Sequence, residues 1–179
     1  NMKAIILAGG YATRMHPLTL NMSKALLAVA GVPLITRIID QISKLKNVSE
    51  ICVVTNQKFY NDFLEWKKTV SFENLHIVND KTTSNEDRLG SVGSLNYAIN
   101  ERNIDEDYMI FAGDNLSDID LGHLYSYFVH KNSCVITAYD VKNKELAKGL
   151  GILKINNENR IIEFVEKPAD PPSTLANTI

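Results

Sequence analysis

The chain has 179 residues, and its 45% hydrophobic and 22% charged content is that of a globular protein able to bury a real core. Its 19 basic residues against 21 acidic ones leave a net charge of −2, which excludes the basic balance of a nucleic-acid binder. No apolar run reaches the ~18–20 residues of a membrane span, since the longest, Ala25 to Ile35, is broken by Gly31 and Pro33. Neither nucleic acid nor a membrane is therefore expected as a partner. Asn1 precedes Met2, which reads as a tag remnant, and strand-like sequence follows at once, so no signal peptide is read and a cytoplasmic location is expected.

In chain order, Lys3–Ala8 reads as a buried strand running into the turn Gly9-Gly10. Residues 11–32 are mixed and polar, an extended loop. Pro33 suits the first turn of a helix, whose apolar face is Leu34, Ile35, Ile38, Ile39, Ile42 and Leu45. Glu50–Thr55 is a second strand, and Phe59–Lys68 a helix with Phe59, Phe63 and Trp66 on one side. Leu75–Val78 is a third strand, 79–90 a polar loop, and Ser91–Glu101 a helix with Val92, Leu95 and Ile99 inward. Tyr108–Ala112 is a fourth strand, closed by Gly113-Asp114-Asn115. Asp120 can cap a helix with Leu121, Leu124, Tyr125 and Phe128 on its face. Ser133–Tyr139 is a fifth strand, and Gly151–Ile155 with Arg160–Val165 a hairpin turning at Asn156-Asn157.

Strands alternating with helices predict a three-layer α/β sandwich with a mostly parallel sheet. Ligands of such sheets bind beyond the carboxyl ends of the strands. That rule puts Gly9-Gly10, the loop to Lys24, and Asp114 on one rim. No repeat or linker divides the chain, so residues 1–179 read as one domain. Cys52 and Cys134 lie in apolar runs and are expected to be buried free thiols.

The chemistry begins at Leu7-Ala8-Gly9-Gly10-Tyr11-Ala12-Thr13-Arg14. A Gly-Gly turn after a strand brings backbone N–H groups close to a ligand. Arg14 and Lys24 add positive charge, a combination suited to a triphosphate, although a plain turn with solvated basic residues fits as well. Neither the Walker pattern Gly-x4-Gly-Lys-Ser/Thr nor the dinucleotide pattern Gly-x-Gly-x-x-Gly is present. Asp118 and Asp120 read as helix-capping residues, and His16 as structural.

The whole string, Leu7-Ala8-Gly9-Gly10-x-x-Thr13-Arg14-Met15-x-Pro17-Leu18-Thr19 and then Ser23-Lys24-Ala25-Leu26-Leu27, resembles the signature of the sugar-nucleotide pyrophosphorylases. Leu89-Gly90-Ser91-Val92-Gly93-Ser94-Leu95, Gly113-Asp114-Asn115 and Glu166-Lys167-Pro168 resemble three further segments of that family, in order. The resemblance runs from Met2 to about Leu175 and is nearest in look to the glucose-1-phosphate thymidylyltransferases. It implies a Rossmann-like GT-A fold and transfer of a nucleotidyl group from a nucleoside triphosphate to a sugar 1-phosphate, with Mg²⁺ as cofactor. It implies that Leu7, Ala8, Gly9, Gly10, Tyr11, Ala12 and Thr13 wrap the nucleotide, with Asn85 and Gly90 at the base. Arg14 would hold the leaving phosphates, Lys24 the reacting phosphates and Asp114 the metal. Gly151 and Glu166 would line the sugar and Lys167 its phosphate. A homo-oligomer is a further expectation from the family, and a pyrimidine base the favoured one. A sugar phosphate is already an anion, so such a reaction needs alignment and charge neutralisation rather than a protein nucleophile.

Three departures stand out. Ala12 replaces a glycine of the family pattern, and its methyl group restricts positive φ. Ser23 stands where many members have proline. Leu150 precedes Gly151 where a tyrosine is common. Residues 174–179 read as the run just before a further strand, so the chain looks truncated, without a second metal carboxylate, and poor turnover is expected of it. Two rivals follow: a nucleotide-binding or regulatory module without turnover, and an NAD-dependent oxidoreductase, which the missing dinucleotide pattern opposes.

Overall fold

The computed structural model describes residues 1–177 and divides into two compact units, Asn1–Gly122 and His123–Ile179. In the first unit, β1 (Met2–Leu7) is followed by two single 3-10 turns, Thr13–Met15 and Lys24–Leu26. A small hairpin of β2 (Ala28–Val29) and β3 (Val32–Pro33) leads into α1 (Leu34–Ile42). Then come β4 (Val48–Thr55), α2 (Tyr60–Lys67), β5 (Leu75–Asn79), α3 (Gly90–Glu101) and β6 (Tyr108–Ala112). The α4 helix (Leu121–Lys131) spans the boundary between the units. The second unit adds β7 (Ala138–Asp140), α5 (Lys144–Ala147), β8 (Gly151–Ile155), β9 (Ile161–Glu166) and β10 (Leu175–Asn177).

The first sheet is parallel throughout, in the order β5-β4-β1-β6. From β1 the chain steps outward through α1 to β4 and through α2 to β5. It then returns through α3 to β6 on the other side of β1. Right-handed crossovers put α1 and α2 on one face and α3 on the other, which gives the three layers that the alternating pattern predicts. The strand alternation agrees, because Ile5, Cys52, Val54 and Val78 pack with Ala98 of α3 and with Ile104. The predicted apolar face of α1 is buried at Leu34, Ile35, Ile38, Ile39 and Ile42, with Leu45 half-buried. Phe59, Phe63 and Trp66 are buried as expected.

The α3 helix packs Leu95 and Ile99 against this core as its sequence suggests, but Val92 points away. Val92 is 81% exposed, and Ser94 and Ala98 are the buried positions. Small side chains let this helix lie close on the sheet, and Ser94 Oγ reaches Asp80 Oδ2 at 3.4 Å. Close approach and a buried hydrogen bond outweigh the larger apolar area of Val92.

The second sheet is antiparallel, in the order β7-β10-β8-β9. The β8–β9 hairpin forms where it was predicted. The expected fifth strand, Ser133–Tyr139, does not form as such. Only Ala138–Asp140 is extended and paired, with β10 rather than with the parallel sheet, while residues 133–137 are irregular. An apolar run alone does not make a strand, because its backbone N–H and C=O groups also need a neighbour to complete the ladder, and the register of β7 with β10 runs from Ala138 to Asp140. Of the run 174–179, Leu175–Asn177 is itself a strand, and residues 178–179 lie outside the described residues. Among the described residues no helix is long and apolar enough to cross a membrane.

The thiols differ accordingly. Cys52 is buried in the first core, where burial, followed by the charge of Glu50, pushes its thiol up to about 12. Cys134 is exposed, contrary to expectation. A chromogenic disulfide reagent at neutral pH should therefore modify one thiol quickly and the second only on unfolding. Cys134→Ser should abolish the fast phase, and two fast thiols would contradict the burial of Cys52.

At the amino-terminal end of the sheet, Glu50 is nearly buried beside Arg102 Nε, which donates to Oε1 at 3.0 Å, and Lys3 Nζ, 3.5 Å from Oε2. Burial alone would raise this carboxyl, but the Arg102 hydrogen bond and charge, with Lys3, hold it below its ordinary value of 4.5. The folded carboxyl thus titrates below the unfolded one. Its contribution to stability is complete above about pH 4.5 and is lost as pH falls through the lower folded value. Urea unfolding across pH 3–7 (a range of roughly the carboxylate and neutral regions) should show wild type losing its advantage over Glu50→Gln on the acid side. Parallel curves would overturn the assignment.

Candidate active site on the carboxyl rim of the parallel sheet

The strand order reverses between β1 and β6, and a crevice opens at such a point beyond the carboxyl ends of the strands. Both strands end there in glycine. After β1 come Ala8, Gly9 and Gly10; after β6 come Gly113 and Asp114. The Ala8 N–H donates to Val54 O and the Gly113 N–H to Leu7 O, each at 2.8 Å, so the two strand ends are tied to their neighbours.

Gly113 allows this closeness. A Cβ there would meet Ala8 Cβ and Leu7 O at 3.1 Å and Ala25 Cβ at 3.3 Å. The third of these contacts is how the long loop returns to the rim. Ala25 is buried beneath the 3-10 turn Lys24–Leu26, and the lysine at the start of that turn stands over Asp114. Lys24 Nζ donates to Asp114 Oδ2 at 2.6 Å, across 90 positions of sequence. Their side chains keep 36% and 40% of their surface exposed, so the pair faces solvent and could exchange partners.

The Gly9-Gly10 turn is held from beneath by polar side chains that sequence reasoning missed. Asn56, fully buried after β4, donates from Nδ2 to Gly9 O at 2.9 Å, and its Oδ1 accepts from the Phe59 N–H at 3.1 Å. Asp80, buried after β5, accepts at Oδ1 from Thr82 N at 2.9 Å and Thr82 Oγ1 at 2.7 Å. Its Oδ2 lies 3.1 Å from where a side chain on Gly9 would begin. Tyr11 is buried with its hydroxyl 3.3 Å from Thr82 Oγ1. The available signal was the pair of polar residues closing each of two apolar strands, Thr55-Asn56 and Asn79-Asp80.

Beyond Tyr11 the backbone turns left-handed at Ala12, with φ 46° and ψ 41°. A left-handed conformation with a methyl group present costs about 1–2 kcal/mol. Thr19 Oγ1, fully buried, donates to Ala12 O at 2.8 Å, and the Met15 N–H donates to it at 2.9 Å; together they hold the turn. Thr13 and Arg14 are exposed in the 3-10 turn that follows.

Asn85 and Gly90 flank a polar loop. The Asn85 carboxamide oxygen accepts from Arg88 Nη1 at 2.5 Å. Asp87 accepts from the N–H groups of Thr83 and Ser84, and these backbone hydrogen bonds hold its carboxyl below the ordinary range. Gly90 opens α3 with φ +72°.

In the second unit the hairpin brings Gly151, Glu166 and Lys167 together. Gly151 pairs with Glu166, whose Oε2 would stand 2.9 Å from a Cβ on that glycine, with the Phe164 ring at 3.1 Å. The Lys167 N–H donates to Leu150 O at 2.9 Å, and its φ of 46° turns the chain out of the strand. Lys167 Nζ lies 3.7 Å from Glu166 Oε1, both side chains being exposed.

An open depression at the other end of the first sheet is lined by Asp105, Glu106 and Asp107 among others. Its acidity suits no phosphate, and the carboxyl rim, with Arg14 and Lys24, is the better site. Among the described residues no group of three or more His, Cys, Asp or Glu could hold a metal ion. Asp114 offers an exposed hard oxygen donor on this rim, which fits a cation that takes its remaining ligands from water and phosphate.

A parallel sheet with reversed strand order, a glycine turn on its rim and a lysine–aspartate pair beside that turn define a Rossmann-like, doubly wound α/β protein. The family profile of nucleotidyl transferases matches residues 3–178, and the chain belongs to that family. It is 32% identical over 177 residues to a Sulfolobus acidocaldarius protein assigned as a mannose-1-phosphate guanyltransferase, covering 98% of this chain and 46% of that one. It is 33% identical to a bifunctional GlmU protein of Methanococcus aeolicus, covering 98% of this chain and 38% of that one. The chain thus spans about half or less of the length of these curated relatives. Further relatives are named as guanylyl-, uridylyl- and adenylyltransferases of sugar 1-phosphates. A crystal structure of a Bacillus anthracis protein assigned as a glucose-1-phosphate thymidylyltransferase superposes with a TM-score of 0.80. At 24% identity, over 99% of this chain and 69% of that one, this likeness is one of fold.

Proposed function

We propose that this chain carries the nucleotidyl-transfer core of an enzyme that joins a nucleoside triphosphate to a sugar 1-phosphate. A phosphate oxygen of the sugar 1-phosphate attacks the α-phosphorus in line. The bond from that phosphorus to the oxygen bridging to the β-phosphorus breaks, and pyrophosphate leaves with the electron pair. The attacking group is already ionised, so no residue need take a proton.

The observation that carries this reading is the meeting of Lys24 and Asp114 at 2.6 Å, 90 residues apart in sequence, on the rim that holds the Gly9-Gly10 turn. A cation and a carboxylate there form the set that a phosphoryl-type transfer requires, since the chemistry is mostly positioning and charge stabilisation. In this reading the backbone from Leu7 to Thr13 wraps the triphosphate, Arg14 neutralises the leaving phosphates and Lys24 the reacting ones. Asn85 and Gly90 face the base, and Gly151, Glu166 and Lys167 serve the sugar phosphate. Mg²⁺ bound at Asp114 would supply charge neutralisation to the phosphates. The names of the relatives support the substrate class.

The test is pyrophosphate release over a matrix of nucleoside triphosphates and sugar 1-phosphates with Mg²⁺. Release that requires both substrates supports the reading and identifies the base and the sugar. Tight triphosphate binding with no release for any pair would replace it with a binding module.

A further inference from the structure

We propose that Lys24 shields the Asp114 carboxylate from free divalent cations, so that metal enters only with a polyphosphate that draws Lys24 away. The inference rests on the reading of Asp114 as the metal ligand. Lys24 Nζ sits 2.6 Å from Asp114 Oδ2. A divalent ion on that carboxylate would stand within roughly 4 Å of the ammonium, a distance at which like charges repel. Cation and ammonium therefore compete for one carboxylate.

The surroundings favour an exchange of partners over a permanent lock. Both side chains are more than a third exposed. The backbones beneath them are tied down. Leu26 N donates to Ser23 O at 3.0 Å, Leu27 N to Lys24 O at 3.1 Å, and Gly113 N to Leu7 O at 2.8 Å. Ala25 is packed where only a glycine at 113 leaves room. The lysine side chain can thus swing while its Cα stays in place, and a triphosphate offers it several oxygens in exchange for one. Metal bound without nucleotide would face the full repulsion of Lys24, whereas metal arriving with nucleotide would not.

The experiment titrates the 179-residue chain with Mn²⁺ in the absence of nucleotide, following free Mn²⁺ by electron paramagnetic resonance. Wild type should bind weakly. Lys24→Gln should bind one Mn²⁺ at least tenfold more tightly, as should Lys24→Met. The gain should vanish in Lys24→Gln/Asp114→Asn. Thermal unfolding midpoints close to wild type verify that the fold is kept, which the exposure of both side chains leads us to expect. Equal Mn²⁺ affinity for wild type and both lysine variants would overturn the proposal, as would a gain that survives loss of the Asp114 carboxylate. Pyrophosphate release by wild type without tightening in the variants would remove the shield and leave the enzyme reading standing. Tightening without pyrophosphate release for any substrate pair would do the reverse.

Discussion

Lys24→Ala is expected to lower kcat/KM for pyrophosphate release by 100-fold or more, on the order of 3 kcal/mol, the usual cost of losing one preorganised donor to a developing anion. Arg14→Ala should cost a similar amount, and Asp114→Asn should lower Mg²⁺-dependent turnover at least as far, to a residual rate that can still be measured, with the fold intact. The 2.6 Å contact between Lys24 and Asp114 raises a competing explanation, in which each residue matters only by holding the other. A double-mutant cycle separates the two. If the pair is merely structural, Lys24→Ala/Asp114→Asn should be no worse than the worse single variant. If each group touches a different part of the reactants, the double variant should be worse than either. Single variants within twofold of wild type would refute the assignment of this rim.

Gly113→Ala is expected to disturb stability and turnover together. The new methyl group would meet Leu7 O and Ala8 Cβ at 3.1 Å and Ala25 Cβ at 3.3 Å. One of these is backbone and the others are the short side chains of buried residues, so none can rotate away. Overpacking of this kind costs about 1–3 kcal/mol. The strain falls between the carboxyl ends of β1 and β6 and beneath the turn that carries Lys24, so Asp114 and Lys24 should separate by a few tenths of an ångström. Since misplacement by 1 Å costs about 100-fold, turnover should drop about tenfold in an otherwise folded protein. Urea unfolding and the pyrophosphate assay measure the two effects. Gly10→Ala, with nothing within 4 Å of its added Cβ, is the stability control. A Gly113→Ala protein as stable as that control would show that the rim can relax, contrary to the packing described.

What could be read in advance follows the range of the interaction concerned. Periodicity is local, so the face of α1, the strand Tyr108–Ala112 and the β8–β9 hairpin were legible from spacing alone. The motif strings were legible too, because glycine and charged residues at fixed offsets carry their own signal. Three features were not. Helical spacing puts Val92 in the core, yet it is exposed, because close approach of Ser94 and Ala98 to the sheet sets the rotation of α3. The apolar run Ser133–Tyr139 suggests a strand of the parallel sheet, but the strand that forms is Ala138–Asp140, antiparallel to β10 in the second sheet. The places of Asn56 and Asp80 have no local signal, since a polar residue closing a strand gives no sign of whether it points to solvent or under a glycine turn.

The sequence by itself determined an alternating α/β chain and the glycine turn that ends its first strand, while Arg14, Lys24 and Asp114 were candidates by the resemblance of their motifs to a family. The chain pattern and the turn were readable because hydrophobic period and turn chemistry are properties of neighbouring residues. Only the tertiary structure decided that strand order reverses between β1 and β6, that Gly113 admits Ala25 beneath the rim, and that Lys24 therefore reaches Asp114 across 90 residues. Those are contacts between distant segments, chosen by which side chains are small enough to let backbones meet, and no local pattern encodes them.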